Sequence, residues 1–91
     1  MSVRVQLPPI LRPVMGGKRF VEAEGRSIGA VIANLSKDHP AIGLHLFDES
    51  GAIRRNIVFL HAGEAVRAAE ARDRRVNEGD EIIVTNALAG G

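Results

Sequence analysis

The sequence contains no cysteine in 91 residues. Small domains of oxidising compartments usually depend on disulfides, so this absence favours the cytoplasm. Long apolar runs are absent as well. No stretch approaches the ~18 apolar residues of a membrane helix, and the first residues alternate and then reach Pro8-Pro9, unlike the apolar core of a signal peptide. We therefore expect a cytoplasmic protein with no membrane partner.

The chain also lacks an excess of charge of one sign. Lysine and arginine total 12 against 11 acids, which leaves a net charge of +1. Domains that bind nucleic acid carry a basic surface that this balance does not supply. The arginines of the second half are interleaved with Glu64, Glu70, Asp73 and Glu78, as on a solvated surface. We expect no nucleic-acid partner.

The usual constellations of a catalytic or metal site are missing too. The three histidines have neither cysteine nor clustered carboxylates at ligand spacing, and His61, at a strand end, is expected to be a half-buried polar side chain. Gly16-Gly17-Lys18 fails the phosphate-loop pattern because Arg12 and Arg19 stand where glycine and Ser or Thr are needed. No Ser-His-Asp set or carboxylate pair is evident. We expect no metal, no bound cofactor and no catalysis by this chain alone.

What is present is the pattern of one small domain. Val3, Val5 and Leu7 alternate with polar residues, as in a half-buried strand, and residues 18–23 form a second strand after a turn at Gly16-Gly17. Further strands are predicted at 57–60 and 81–86.

One helix is well marked. Ser27 is a candidate N-cap, and the helix ends before Pro40 because the residue preceding proline disfavours the helical region. Its apolar stripe follows the i, i+3, i+4, i+7 spacing at Ile28, Val31, Ile32 and Leu35.

Two segments are less regular. Residues 41–47 are predicted to make at most a helical turn. Residues 64–75 favour helix by propensity, but their alanines offer little apolar surface to bury. We interpret Ala65-Val66 as a short edge strand and the remainder as an irregular or 3₁₀ connection.

This order of elements predicts an α+β fold with one main helix on one face of a mixed sheet. With the first and last strands adjacent in the middle, the architecture is the β-grasp, or ubiquitin-like, fold. We assign residues 1–86 to the β-grasp domain and residues 87–91 to a flexible C-terminal tail.

Two predicted strands are apolar on both faces, whereas one helix covers only one face of a sheet. If Ile57, Phe59, Ile82 and Val84 face the helix, the outward residues are Val58, Leu60 and Ile83. Phe20 joins them because Val21 has the better claim to the core. An exposed apolar patch usually marks an interface, so Phe20, Val58, Leu60 and Ile83 are candidates for docking a partner. The alternative is that loops or the tail cover them.

The tail is Ala87-Leu88-Ala89-Gly90-Gly91 and contains no charge. Glycine has no Cβ, so a terminal carboxylate on two glycines can enter a narrow slot. Fully extended, the tail reaches about 17 Å beyond the last strand. Leu88 is its only sizeable side chain and is a candidate anchor. The plain alternative is a frayed terminus.

Several motifs together resemble one family. They are Leu11-Arg12-Pro13 followed by Gly16-Gly17, Ile28-Gly29-Ala30-Val31-Ile32, Glu64-Ala65-Val66-Arg67, Glu78-Gly79-Asp80-Glu81 and the Gly90-Gly91 end. On these the chain resembles the ubiquitin-like sulfur carriers of the MoaD/ThiS type, which include the molybdopterin synthase small subunit and the carriers of thiamine and cysteine biosynthesis. The Leu-Arg-Pro and Gly-Gly pair favours the cysteine-biosynthesis type.

The resemblance implies a protein co-substrate. An activating enzyme of the ubiquitin-activating type, an adenylyltransferase and sulfurtransferase, would use ATP to adenylate Gly91. A sulfur donor would then convert it to a thiocarboxylate, with Ala87, Leu88, Ala89 and Gly90 recognised in the partner's slot. The acceptor would be a synthase such as a cysteine synthase, with molybdopterin or thiamine pathways as the other possibilities.

Two other functions remain open from the sequence. A ubiquitin-like protein modifier would use the same activation chemistry and form an isopeptide bond through Gly91. A non-catalytic regulatory subunit would bind one enzyme with its tail as a plug.

Overall fold

The computed structural model describes residues 2–86, and Asn86 only in its backbone. The predicted tail at 87–91 lies outside the described residues. Five strands form one mixed sheet in the order β2-β1-β5-β3-β4. The strands are β1 (Ser2–Gln6), β2 (Phe20–Glu24), β3 (Ile57–His61), β4 (Glu64–Arg67) and β5 (Glu81–Asn86).

The central strand is the last one in sequence. β5 pairs in parallel with β1, with Gln6 opposite Ile83, and antiparallel with β3, with Leu60 opposite Ile83. β1 and β2 form the antiparallel hairpin predicted from the sequence. A parallel pair cannot be closed by a tight turn, so the crossover from β1 to β5 contains the rest of the domain.

The helical layer covers one face of the sheet. It consists of α1 (Ile28–Asp38), α2 (Pro40–Leu46) and the single turn α3 (Ala68–Ala71). The Ser27 hydroxyl accepts a hydrogen bond from the backbone N–H of Ala30 at 3.1 Å, which satisfies one of the free donors of the first turn. The predicted stripe of α1, Ile28, Val31, Ile32 and Leu35, is fully buried.

The core forms between α1 and the inward side of the sheet. Phe59, Ile82 and Val84 are buried there, as the alternation along β3 and β5 predicted. The mixed sheet with one long helix on one face is therefore confirmed as the β-grasp arrangement.

The structure corrects three local predictions. Residues 40–46 form a helix of seven residues rather than one turn, because Pro40 occupies its first position, where no intrahelical N–H is needed. The second strand starts at Phe20 rather than at residue 18. Within 64–75 the edge strand is confirmed as β4, but α3 follows where an irregular connection was expected. Ala68 and Ala71 are buried, so tertiary packing supplies what these short side chains lack alone.

Candidate functional site at the outer sheet face and the end of the last strand

The predicted docking residues lie on the face of the sheet opposite the helices. The strand registers place Phe20 opposite Gln6, Gln6 opposite Ile83, and Ile83 opposite Leu60. Three of the four predicted residues therefore share one row that runs across the sheet. Phe20 is 39% exposed and Leu60 is 41% exposed, although both are large apolar side chains. We call Phe20, Val58, Leu60 and Ile83 the outer patch.

Val58 lies in the neighbouring row on the side where β5 ends. It sits opposite Thr85 on one side and Arg67 on the other. The Thr85 hydroxyl donates a hydrogen bond to the backbone carbonyl of Val58 at 2.8 Å, which adds a side-chain contact between the end of β5 and β3. Val58 and Ile83 are half-buried, so the outer patch is a shallow apolar surface with Phe20 and Leu60 as its most exposed side chains.

A polar row borders the outer patch on the side where β5 begins. Arg4 lies opposite Glu22 and Glu81, and its Nη2 is 3.1 Å from a carboxylate oxygen of Glu81. The guanidinium carbon of Arg4 is also 4.5 Å from the centre of the Phe20 ring, within cation–π range. The aromatic ring is thus held in place by a cation whose charge is partly neutralised.

The position of β5 determines how the tail leaves the domain. Asn86, its last residue, lies opposite Ile57 at the start of β3. Strand β5 is hydrogen-bonded to β1 on one side and to β3 on the other, so two neighbouring strands fix the position of its last residue. The described part of the chain therefore ends in the middle of the sheet, where Thr85 lies opposite Val58 of the outer patch. The predicted roles of Ala87, Leu88, Ala89, Gly90 and Gly91 fall outside the described residues.

At the opposite end of the sheet lies a polar network that sequence reasoning missed. His61, expected to be half-buried, is only 5% exposed. Its Nε2 is 2.7 Å from Oδ2 of Asp80, and Nδ1 accepts a hydrogen bond from Nε of Arg74 at 3.1 Å. Because Nδ1 accepts, the proton of the neutral ring is on Nε2 and is donated to Asp80. Arg74 also pairs with Glu64 at 2.7 Å. We call these four residues the His61 network.

The network explains the Gly79-Asp80 motif physically. Oδ2 of Asp80 also accepts from the backbone N–H of Asn77 at 2.9 Å, and Gly79 has a φ of 84°, which glycine adopts without strain. The hydrogen bond from His61, followed by that from Asn77, lowers the pKa of Asp80 below its ordinary value. Asp80 thus fixes the turn before β5 and ties it to β3. Sequence reasoning saw only the position of Asp80 in the motif, because His61, its partner in β3, lies 19 residues away along the chain.

The described part of the chain contains no cluster of three metal-ligating side chains. No helix within residues 2–86 is long and apolar enough to cross a membrane.

Comparison with known proteins identifies the family. The sequence pattern of the ThiS family matches residues 5–91. The chain belongs to the ThiS family. It is similar to the sulfur carrier protein CysO of Mycobacterium tuberculosis, with 36% identity over 93 aligned residues that cover 100% of both chains.

Solved structures of similar fold agree with this membership. In the crystal structure of the BexX/CysO complex of Amycolatopsis orientalis, a chain 32% identical to this one superposes with a TM-score of 0.81 and covers 98% of this chain and 99% of that one. SAMP1 of Haloferax volcanii superposes with a TM-score of 0.82 at 26% identity, with 100% of both chains covered. This member of the ThiS family therefore shares its whole length with proteins of two named kinds, a sulfur carrier and an archaeal modifier.

Proposed function

We propose that this chain is a sulfur carrier protein that acts as a co-substrate and not as an enzyme. The observation that carries the proposal is the similarity to CysO over 100% of both chains, together with a family match that extends to residue 91. The similarity to CysO favours cysteine biosynthesis as the pathway. An activation step that uses ATP, and the absence of cysteine, are both compatible with the cytoplasm.

The reactive group in this proposal is the carboxylate of Gly91. A terminal carboxylate is ionised at neutral pH, with a pKa of about 3.5, and is a poor electrophile. An activating enzyme joins it to the α-phosphate of ATP and releases pyrophosphate. A sulfide-level donor then displaces AMP, so one C–O bond breaks and one C–S bond forms. No cofactor is bound by the carrier, and Ala87, Leu88, Ala89 and Gly90 are the residues that enter the enzyme's slot.

The test is the mass of the intact protein isolated from cells. A thiocarboxylate adds the mass difference between sulfur and oxygen, and the addition should map to Gly91 after proteolysis. A variant with one alanine appended after Gly91 is the matched control, since the body of the domain is unchanged. Adenylation of the extended chain, or the same added mass on it, would contradict the proposal.

The outer patch is proposed as the surface that docks the activating enzyme and the acceptor synthase, such as a cysteine synthase. Its apolar row is exposed on the face that the helices leave open, and it lies beside the exit of the tail. The crystal structure of CysO with BexX supports the idea that carriers of this kind form defined complexes with other proteins.

Leu60→Asp tests this docking surface. The side chain is 41% exposed, so the fold should survive. A buried charge in the middle of an interface should weaken binding by about 2 kcal/mol or more, or about 30-fold. The control is Leu44→Asp, which places the same charge at a leucine that is 76% exposed on α2. Equal affinities of the two variants for the activating enzyme, measured by titration calorimetry, would refute docking through the outer patch.

A protein modifier is the second candidate function. It is favoured by the likeness to SAMP1 over the whole of both chains. In that case Gly91 forms an isopeptide bond to lysines of other proteins. Affinity-tagged chain purified from cells under denaturing conditions distinguishes the two, because a modifier yields covalent conjugates of higher mass and a carrier yields the thiocarboxylate alone.

A further inference from the structure

The acids and bases of this chain are unevenly distributed along the sheet. All 11 acids lie between Glu22 and Glu81, so residues 1–21 and 82–91 contain none. At the end of the sheet where β5 begins, β2 ends at Glu24, β4 begins at Glu64 and β5 begins at Glu81. These strand ends place carboxylates around the start of the central strand.

At the other end of the sheet, where β5 ends, the loop between β1 and β2 carries only positive charge. β1 and β2 are joined there by residues 7–19, which carry Arg12, Lys18 and Arg19 and no acid. On the far side of β5, β4 ends at Arg67 opposite Val58. Glu70 is near Arg67, and its carboxylate accepts from the Arg67 backbone N–H. We call residues 7–19 the basic loop.

The charges of the basic loop are free to act on a partner. Nε of Arg12 donates to the carbonyl of Leu7 at 3.2 Å, and that acceptor is uncharged. Lys18 and Arg19 are exposed, and neither makes an ion pair within residues 2–86. Arg54 is different, because its charge helps to lower the pKa of Asp48. The basic loop therefore has three cations and no acid, which gives it a local excess of positive charge.

An apolar cleft adjoins these charges. It has a volume of about 450 Å³ and lies between the end of β5 and the start of the basic loop, where Pro8, Pro9 and Ile10 face Ile83 and Thr85. Ile10 forms its edge and is 66% exposed. The cleft shares Ile83 with the outer patch, so the two surfaces are continuous. A phosphate backbone does not suit an apolar cleft, whereas an apolar protein side chain flanked by carboxylates does.

The geometry points to a second docking element at the basic loop, which rests on the proposed function and names the chemistry of the partner. An apolar side chain of the activating enzyme enters the cleft beside Ile10, and carboxylates of that enzyme face Lys18 and Arg19. Exposed charges of this kind act mainly on the rate of association and are screened by salt. The basic loop then orients the chain so that the tail meets the mouth of the enzyme's channel.

The first test is a pair of charge reversals at opposite ends of the sheet. Lys18→Glu with Arg19→Glu reverses the basic loop, and Arg26→Glu with Arg75→Glu makes the same change in net charge at the other end. Arg26 and Arg75 are exposed, and the hydrogen bond between Arg26 and the backbone N–H of Val76 is accepted by the Arg26 backbone carbonyl, which the substitution keeps. Circular dichroism checks that both variants are folded.

The measured quantity is ATP–pyrophosphate exchange by the activating enzyme as a function of carrier and salt concentration. The basic-loop variant should lower kcat/KM by about 10-fold at low salt with kcat nearly unchanged, and the difference should shrink in high salt. The control pair should stay within about 2-fold of the parent chain. Equal effects of the two pairs, or an effect on kcat alone, would overturn the inference.

The second test maps the contact directly. The chain has two lysines, Lys18 and Lys37, and a carbodiimide joins a lysine amine to a carboxylate that touches it. Cross-linked to the activating enzyme, the chain should be joined through Lys18, with Lys37 on α1 as the internal control. A cross-link through Lys37 alone, or none through Lys18, would refute the acidic partner surface. If the parent chain supports no ATP–pyrophosphate exchange at all, both the proposed function and this inference are wrong. If exchange is unaffected by the charge reversal in the basic loop, only this inference is wrong.

Discussion

Replacing Asp80 by alanine should destabilise the fold by about 2–3 kcal/mol, because the change leaves a buried donor without a partner. Asp80 accepts from Nε2 of His61 at 2.7 Å and from the N–H of Asn77 at 2.9 Å. The His61 side chain is 5% exposed and that of Asp80 is 28% exposed, so water replaces the lost acceptor only in part. Hydrogen bonds to a charged group contribute about 1.5–3 kcal/mol each, and the exposed side of the carboxylate reduces that figure.

The chain has no tryptophan or tyrosine, so unfolding is best followed by far-ultraviolet circular dichroism in heat and urea. For a domain of this size, each kcal/mol of lost unfolding free energy lowers Tm by about 4–8 °C. A loss of about 2–3 kcal/mol therefore predicts a fall in Tm of about 10–20 °C. Asp80→Asn keeps an acceptor oxygen but removes the charge, so it should cost about 1 kcal/mol. Asp73→Ala removes an exposed carboxylate and should change little. A loss below about 0.5 kcal/mol for Asp80→Ala, the range of ordinary surface changes, would refute the role given to the His61 network.

The hydrogen bond between His61 and Asp80 should also make the free energy of unfolding depend on pH, with a sign that follows from the pKa of Asp80. The hydrogen bond from His61 lowers the pKa of Asp80 below its ordinary 3.8, so the folded state favours the ionised form. Its contribution is therefore present above the unfolded pKa and is lost as the pH falls through the folded one. The stability difference between the parent chain and Asp80→Ala should persist near neutral pH and narrow below about pH 4. A difference that grows on acidification would contradict this assignment.

Two other substitutions test the backbone. Ala62 has a φ of 53° and precedes Gly63, whose φ is 79°, in the turn between β3 and β4. Ala62→Asn should raise the free energy of unfolding by about 0.5–1 kcal/mol, because asparagine tolerates the left-handed region. A lower stability in urea would contradict this prediction. A Cβ on Gly29 would lie 2.7 Å from the carbonyl oxygen of Arg72. Gly29→Ala should therefore lower the free energy of unfolding by about 1–3 kcal/mol through overpacking, less the ~1 kcal/mol that the higher helix propensity of alanine contributes. A variant more stable than the parent would show that the backbone at Arg72 moves aside without cost.

The sequence was most informative where one pattern had one structural solution. Alternation along β3 and β5 separated inward Phe59 and Ile82 from outward Leu60 and Ile83, because successive side chains in a strand point to opposite faces. The stripe on α1 predicted its buried side for the corresponding reason at a period of 3.6. Phe20 was placed on the outer face from a comparison with Val21 alone, and the register with Gln6 bears out that position.

Prediction failed where local preference was weak or where partners were distant in the chain. The alanines that form α3 gained their helix from burial against the domain, which no local pattern displays. His61 was expected to be half-buried because it lies where a strand meets a turn. Its burial depends on Asp80 and Arg74, which lie 19 and 13 residues away along the chain. The charges of the basic loop were visible as residues, but the overall balance of +1 concealed their clustering.

By itself the sequence determined which faces of the elements are apolar and placed an uncharged Gly-Gly segment after the last strand, since these follow from periodicity and composition. Only the tertiary structure decided that Phe20, Leu60 and Ile83 share one row. It also decided that the loop of residues 7–19, with its three cations, lies at the end of the sheet where β5 ends. These depend on the register and order of strands far apart in sequence, which long-range packing selects and local preference does not.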